Sequence, residues 1–165
     1  MRIFVSSVQK EFQGERVAVR DYVARDPLLS RFFEVALFED LPARDRRADA
    51  VYLAEVDGCE ILLSLFGADY GLPAKTSGIS PTEQEFDHAT ARRKTRLVFI
   101  KGESTLRRDA RMAALIAKAD AQLIRRRFQS IEALLTGVYA VLVDYLAYHE
   151  LIRTVPFDAA AARGA

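Results

Sequence analysis

The sequence predicts a single α/β domain with a parallel sheet of five strands and helices on both of its faces. Short apolar runs alternate along the chain with segments whose apolar residues recur at helical spacing. Parallel strands need crossover connections, which are right-handed, so this alternation favours a sheet buried between two helical layers. The 165 residues, of which 50% are hydrophobic, are enough for one domain with a substantial core.

Five segments are predicted as strands because each is a short apolar run that ends at polar or turn-forming residues. The first ends at Ser6 and Ser7, and either serine is of a type that caps the helix expected next. In chain order the predicted strands are Ile3–Val5, Phe33–Phe38, Ile61–Phe66, Arg96–Ile100 and, as the weakest, Leu123–Phe128.

Helices are predicted between the strands. The first carries Phe12, Arg16, Val19 and Val23 on one face and stops before Pro27. The others are expected over 48–56, from Ser80 onward, over 107–121 and, as a long final helix, over about 130–151. The domain should therefore occupy residues 1–153, with 154–165 as a tail or linker toward a downstream module.

Composition excludes several functional classes. The net charge is +1, and the arginine clusters are balanced by acidic residues without interleaved aromatics, so direct nucleic-acid binding is not expected. Cys59 is the single cysteine, and His88 and His149 lie far apart, so neither a disulfide framework nor a metal site is predicted. A membrane span needs roughly 18 apolar residues in succession, which no run here reaches. We expect a cytoplasmic protein with no membrane association.

The segment that follows the third strand is where a ligand site is predicted. A glycine-spaced loop, 67–78, leads from this strand into Ser80–Pro81–Thr82–Glu83, which has the pattern of a capping box with proline at the first helical position. Glu83 is thus expected to fold back and cap its own helix. In open α/β sheets, ligands bind in the crevice outside the carboxyl ends of the strands. The sequence therefore predicts a crevice at this edge.

Three motifs resemble those of a bacterial and archaeal family of unknown function. They are the opening Ile3–Phe12 with Glu15 and Arg16, the Phe66–Gly71 loop, and the helix start Ser80–Phe86. The resemblance covers roughly residues 3–102, and 150–157 looks like its continuation. It implies an amino-terminal module of a larger regulatory or defence protein. It also implies a flavodoxin-like fold similar to nucleoside deoxyribosyltransferases and TIR domains, with strand order 2-1-3-4-5.

The same resemblance implies a set of site residues. Thr82 and Glu85 match the Thr–x–x–Glu spacing of the deoxyribosyltransferases, so Glu85 is the candidate catalytic carboxylate, and Asp69 corresponds to the aspartate that serves the leaving base. Ligand contacts are expected from Ser6, Ser7, Gly67, Tyr70 and Thr82, with NAD or a nucleoside as the possible ligand and no other cofactor or metal. Two structural alternatives stay open, namely a solvated Glu85 and glycines that only shape turns. A further functional alternative is Glu39 as a ribose-binding carboxylate at the end of the second strand.

The final predicted helix is apolar around most of its circumference, which is typical of a helix buried on more than one side. We expect Tyr139, Val143 or Tyr148 to contact a second copy of the chain or a downstream module. Three functions remain open. They are a nucleotide- or nucleoside-sensing module, an N-glycosidase that uses Glu85, and a non-catalytic interaction domain.

Overall fold

The strands pair in one parallel sheet with the order β2-β1-β3-β4-β5, in a computed structural model that describes residues 1–40, 48–75 and 77–153. This order and the parallel pairing confirm the predicted α/β, flavodoxin-like fold. The strands are β1 (Arg2–Ser7), β2 (Glu34–Ala36), β3 (Ile61–Phe66), β4 (Thr95–Lys101) and β5 (Arg126–Phe128).

In the described part of the chain, five α-helices connect or follow the strands. Three of them begin at a side-chain cap: Ser80, Asp109 and Ser130 each accept a hydrogen bond from a backbone N–H of the first turn. The helices are α1 (Gln9–Arg25), α2 (Ala48–Asp57), α3 (Pro81–Ala91), α4 (Ala110–Asp120) and α5 (Ile131–Tyr148).

Helices cover both faces of the sheet, as predicted. Side chains alternate along each strand, so β1, β3 and β4 present apolar residues to both helical layers. Ile3 and Val5 face α1 and α5, in one apolar cluster with Val19 and Leu142. On the other face, α2, α3 and α4 cover the strands. The residues of β1, β3 and β4 in contact with that second layer are Phe4, Leu62, Phe66, Val98 and Ile100.

The alternation also separates the two serines at the end of β1. Ser6 pairs in register with Ser64 of β3, and Ser7 pairs with Leu65. Ser6 therefore faces the layer that contains α3, whereas Ser7 faces the layer that contains α1. The carboxyl end of β1 thus presents one hydroxyl to each layer.

Several predicted boundaries differ from the structure. The second and fifth strands are only three residues long, since Phe38 and Glu39 lie in a 3-10 turn and pairing with β4 begins at Arg126. Neither Ser6 nor Ser7 caps α1, because both are still in β1 and Val8 is the N-cap residue without a side-chain hydrogen bond. The predicted tail, 154–165, lies outside the described residues, as does most of the charged loop after Asp40.

Helix α5 ends at Tyr148 rather than near residue 151, because Glu150 adopts a left-handed backbone with φ of 56°. Four residues on one side are fully buried, yet Tyr139 and Tyr148 are 37% and 81% exposed. Among the described residues, α5 is the one helix long and apolar enough to cross a membrane, which the criterion of an unbroken apolar run did not detect. Its buried side belongs to the core of the domain.

Candidate functional site

A cavity of about 710 Å³ opens at the carboxyl ends of β1 and β3, between the first turns of α1 and α3. This is the edge of a parallel sheet at which α/β proteins bind ligands. Its wall includes apolar, aromatic and charged groups. Those used below are Ser7, Arg16, Phe38, Tyr52, Asp69, Tyr70, Thr82, Glu85 and Asp109.

Glu85 is the buried acid of this cavity. It lies in the second turn of α3, is 5% exposed, and accepts a hydrogen bond from the Ser6 hydroxyl. Burial raises the pKa of Glu85 from 4.5 to about 7, although the Ser6 hydrogen bond and the charge of Arg16 act in the opposite direction. Near neutral pH both the protonated and the ionised form of this carboxyl are therefore populated. Glu85 is therefore not a solvated helix residue, which was the structural alternative for it.

Arg16 is the largest fully buried side chain, and it connects three elements around the cavity. Its Nε and Nη2 donate to the two carboxylate oxygens of Glu39 at 2.8 and 2.6 Å. Its Nη1 donates to the Val5 carbonyl at 2.9 Å and to Ser7 Oγ at 3.0 Å. Glu39, considered above as a ribose ligand, is thus engaged bidentately by a buried guanidinium, the geometry that makes such pairs strong.

Tyr70 forms a second wall of the cavity, and its position explains why Glu83 does not cap α3. The Tyr70 hydroxyl donates to Glu83 and accepts from the Ser80 N–H at 3.2 Å. Glu83 also accepts from Lys118 Nζ at 2.8 Å. Burial disfavours the charged form of Glu83, but these two donors outweigh it and lower its pKa. The predicted capping box is therefore half wrong: Ser80 caps, while Glu83 binds side chains.

The loop after β3 is tied to the first turn of α1 by Glu11. The Glu11 carboxylate accepts from the backbone N–H groups of Ala68 and Asp69 at 2.7 and 3.0 Å. A Cβ at Gly67 would overlap this carboxylate, so a larger residue there would displace Glu11 from its hydrogen bonds to the loop. The Arg108 guanidinium donates to the Gly67 carbonyl at 2.5 Å. These contacts hold Asp69, which is exposed, at the cavity mouth.

An aromatic pair closes the cavity on the side of α2. The rings of Phe38 and Tyr52 lie 4.3 Å apart between centroids and are tilted by 42°. Burial, and then the nearby charge of Glu85, raise the pKa of the Tyr52 hydroxyl. Tyr52 therefore stays protonated at neutral pH and is able to donate a hydrogen bond in the cavity.

Five of the seven site residues expected from the sequence meet on the cavity wall. They are Ser7, Asp69, Tyr70, Thr82 and Glu85. The other two lie behind it: Ser6 supports Glu85, and Gly67 lies under Glu11. Among the described residues, no group of three or more histidine, cysteine or acidic side chains is arranged to hold a metal ion.

The sequence profile of one family matches residues 2–143. The chain belongs to that family, described as Domain of unknown function (DUF4062). The DUF4062 match spans every residue of the cavity wall and ends within α5. No curated protein matches the chain.

The sequence did not identify three residues that are important for this DUF4062 site: Arg16 and Tyr52, which line the cavity, and Glu11, which holds the loop beside it. A signal existed for Arg16, since it interrupts the apolar face formed by Phe12, Val19 and Val23. A charged side chain on a buried helix face requires a partner. Glu11 and Tyr52 carry no comparable signal, because their roles depend on which loops the fold brings beside them.

Proposed function

We propose that the cavity binds a nucleoside derivative, and that the domain is a sensing or interaction module of a larger bacterial protein with a regulatory or defence role. The observation that carries the proposal is Glu85, a carboxyl group buried in the wall of a large cavity. A carboxyl group is costly to bury, and an apolar core has no need of one there. The resemblance to deoxyribosyltransferases and TIR domains supports a nucleoside-type ligand.

The walls of the cavity suit such a ligand. Tyr70 and Tyr52 provide aromatic surfaces for a base, while Glu85 and Ser7 provide hydrogen-bonding groups for a sugar. Small-molecule sites are commonly concave, largely apolar and equipped with a few converging polar groups. The cavity volume of about 710 Å³ is within the usual range for such sites.

Thermal unfolding with a panel of adenosine, guanosine, cytidine, uridine and NAD tests the proposal. A ligand at a hundred times its dissociation constant adds about 2.7 kcal/mol of stability, or a rise of roughly 5–10 °C in melting temperature for a domain of this size. The rise should shrink in Glu85→Gln and persist in Glu103→Gln, which changes an exposed glutamate outside the cavity wall. The absence of any rise at millimolar concentration would contradict the proposal.

A second candidate function is cleavage of an N-glycosidic bond. It is favoured by the raised pKa of Glu85, about 7, in a position facing the cavity. As the bond between the anomeric carbon and the base breaks, its electron pair leaves with the base, and the Glu85 carboxylate stabilises the oxocarbenium-like sugar. Water adds to the sugar, and the proton that it releases passes by way of Asp69 to the departing base, the role that the resemblance to deoxyribosyltransferases implies for this residue.

Chromatography for free base separates cleavage from sensing. Wild-type protein incubated with the same panel should release base if the domain is a catalyst, and Glu85→Gln should lower the rate at least 100-fold. Glu103→Gln should match the wild type. A rise in melting temperature without release of free base would support sensing and would contradict the proposed catalysis.

The exposed side of α5 is a separate surface, for which we propose a partner in the form of a second copy of the chain or a downstream module. The supporting observation is that Tyr139 and Tyr148 are 37% and 81% exposed on a helix of mean hydropathy 1.4. If this surface alone is functional, the domain is a non-catalytic interaction module, and the cavity stays without a ligand in the experiments above.

A further inference from the structure

The Ser7 hydroxyl faces the cavity with its hydrogen still available. Ser7 is the last residue of β1 and is 9% exposed. Its Oγ accepts a hydrogen bond from Arg16 Nη1 at 3.0 Å. Within the described part of the chain, no group accepts a hydrogen bond from this hydroxyl. Since polar hydrogens nearly always find an acceptor and the described protein groups provide none here, the acceptor is expected in the cavity, from solvent when it is empty and from a ligand when one is bound.

Arg16 fixes the direction of that hydroxyl. An arginine has five N–H donors, and four of those on Arg16 are used by Glu39, Val5 and Ser7. With a donor of Arg16 directed at one lone pair of Oγ, the hydroxyl hydrogen of Ser7 is turned away from the guanidinium. The fifth N–H, on Nη2, has no acceptor among the described residues, and Arg16 is part of the cavity wall.

The charge on this wall favours a neutral acceptor. Glu39 binds Arg16 through both of its oxygens and neutralises much of its positive charge. The carboxyl of Glu85 lies on the wall of the same cavity and accepts hydrogen bonds when ionised. A hydroxyl group of the ligand suits this combination because it is uncharged, can accept a hydrogen bond from Ser7 and can donate one to Glu85.

We propose that Ser7 is a specificity-determining residue that donates a hydrogen bond to a ribose hydroxyl oxygen of the ligand, with Arg16 as its positioning residue. This inference rests on the proposed nucleoside-binding function. It adds that the protein distinguishes ribonucleosides from their deoxy forms, and it names the side chain that makes the distinction.

Calorimetric titration of the wild type and Ser7→Ala tests this, with adenosine, guanosine, cytidine and uridine and their 2′-, 3′- and 5′-deoxy forms as probes. Loss of one hydrogen bond to a neutral group should weaken binding of the ribonucleoside to Ser7→Ala roughly five- to tenfold. One deoxy form should bind the wild type more weakly by a similar factor. That form should bind Ser7→Ala no worse than the ribonucleoside does, because the bond is already absent.

Ser30→Ala, which alters an exposed serine, is the matched control and should bind like the wild type. The comparison of ligands on the wild type needs no variant, so it stands even if Ser7→Ala folds poorly. Equal affinity of the wild type for ribonucleosides and all deoxy forms would overturn the inference while leaving the proposed function intact. Additive losses from the variant and the deoxy ligand would also overturn it. Failure of every probe to bind would remove the proposed function, and this inference with it.

Discussion

The ionisation of Glu85 should make the domain less stable as the pH rises from about 4.5 to about 7. In the unfolded chain the carboxyl loses its proton near pH 4.5, whereas burial in the folded protein raises its pKa to about 7. Between these values the folded state binds more protons than the unfolded state, so the free energy of unfolding falls as the pH increases. At roughly 1.4 kcal/mol per pH unit, the loss is about 3 kcal/mol.

Glu85→Gln isolates this contribution because glutamine keeps the shape of the side chain and cannot ionise. We expect the variant and the wild type to have similar stability at pH 4.5. At pH 8 the variant should be more stable by about 3 kcal/mol, since folding no longer requires a buried charge. Urea unfolding followed by far-ultraviolet circular dichroism at pH 4.5, 6 and 8 gives these values.

Glu83→Gln is the control of opposite sign. The pKa of Glu83 is lowered by Lys118 and Tyr70 despite burial, so its charge contributes stability above its ordinary pKa that is lost as the pH falls. Glu83→Gln should therefore be less stable than the wild type at pH 8, and the difference between the two should be smaller at low pH. Parallel pH profiles for Glu85→Gln and the wild type would refute the account of Glu85 as a buried, destabilised carboxylate.

Three further predictions concern the surroundings of the cavity and α5. Arg16→Met should lower stability by about 2–3 kcal/mol in urea unfolding, less than the roughly 3–5 kcal/mol of a fully buried pair because Glu39 is partly exposed; no loss would contradict its role. Gly67→Ala should cost roughly 1–3 kcal/mol through overlap with Glu11. Most of that cost should vanish in a Glu11→Ala background. Tyr148→Ser should lower the mass measured by light scattering if α5 mediates assembly, and a wild-type monomer at all concentrations would argue against a second copy as the partner.

The sequence was sufficient to predict the fold because its signals are local and consistent. The short apolar runs of β1 and β3, which are buried along almost their whole length, the break before Pro27 and the serine caps at Ser80 and Ser130 specify elements without reference to the rest of the chain. The ends of the edge strands were less predictable. Phe33 and Leu37 extend the apolar run of β2, and Leu123 and Ile124 lie a short distance before β5, so only the pairing with a neighbour decides where each strand begins and ends.

The site was predictable in its location and in part of its composition. The loop after β3 and the start of α3 meet at the carboxyl edge of the sheet, as their order in the chain requires. The partners were not predictable from local pattern, because they come from distant segments. Glu83 matches a capping box. In the folded protein, however, its carboxylate accepts hydrogen bonds from Lys118 and Tyr70 instead of from the backbone at the start of its own helix.

The proposed binding of a nucleoside derivative at Glu85 is tested most directly by an ¹H–¹⁵N NMR titration with the ribonucleoside that raises the melting temperature most. We predict that chemical-shift changes concentrate on the amides of Ser7, Asp69, Tyr70 and Glu85, which surround the cavity. Amides at the opposite edge of the sheet, such as that of Lys94, should stay unchanged. Changes confined to α5, or none at saturating concentration, would contradict the account.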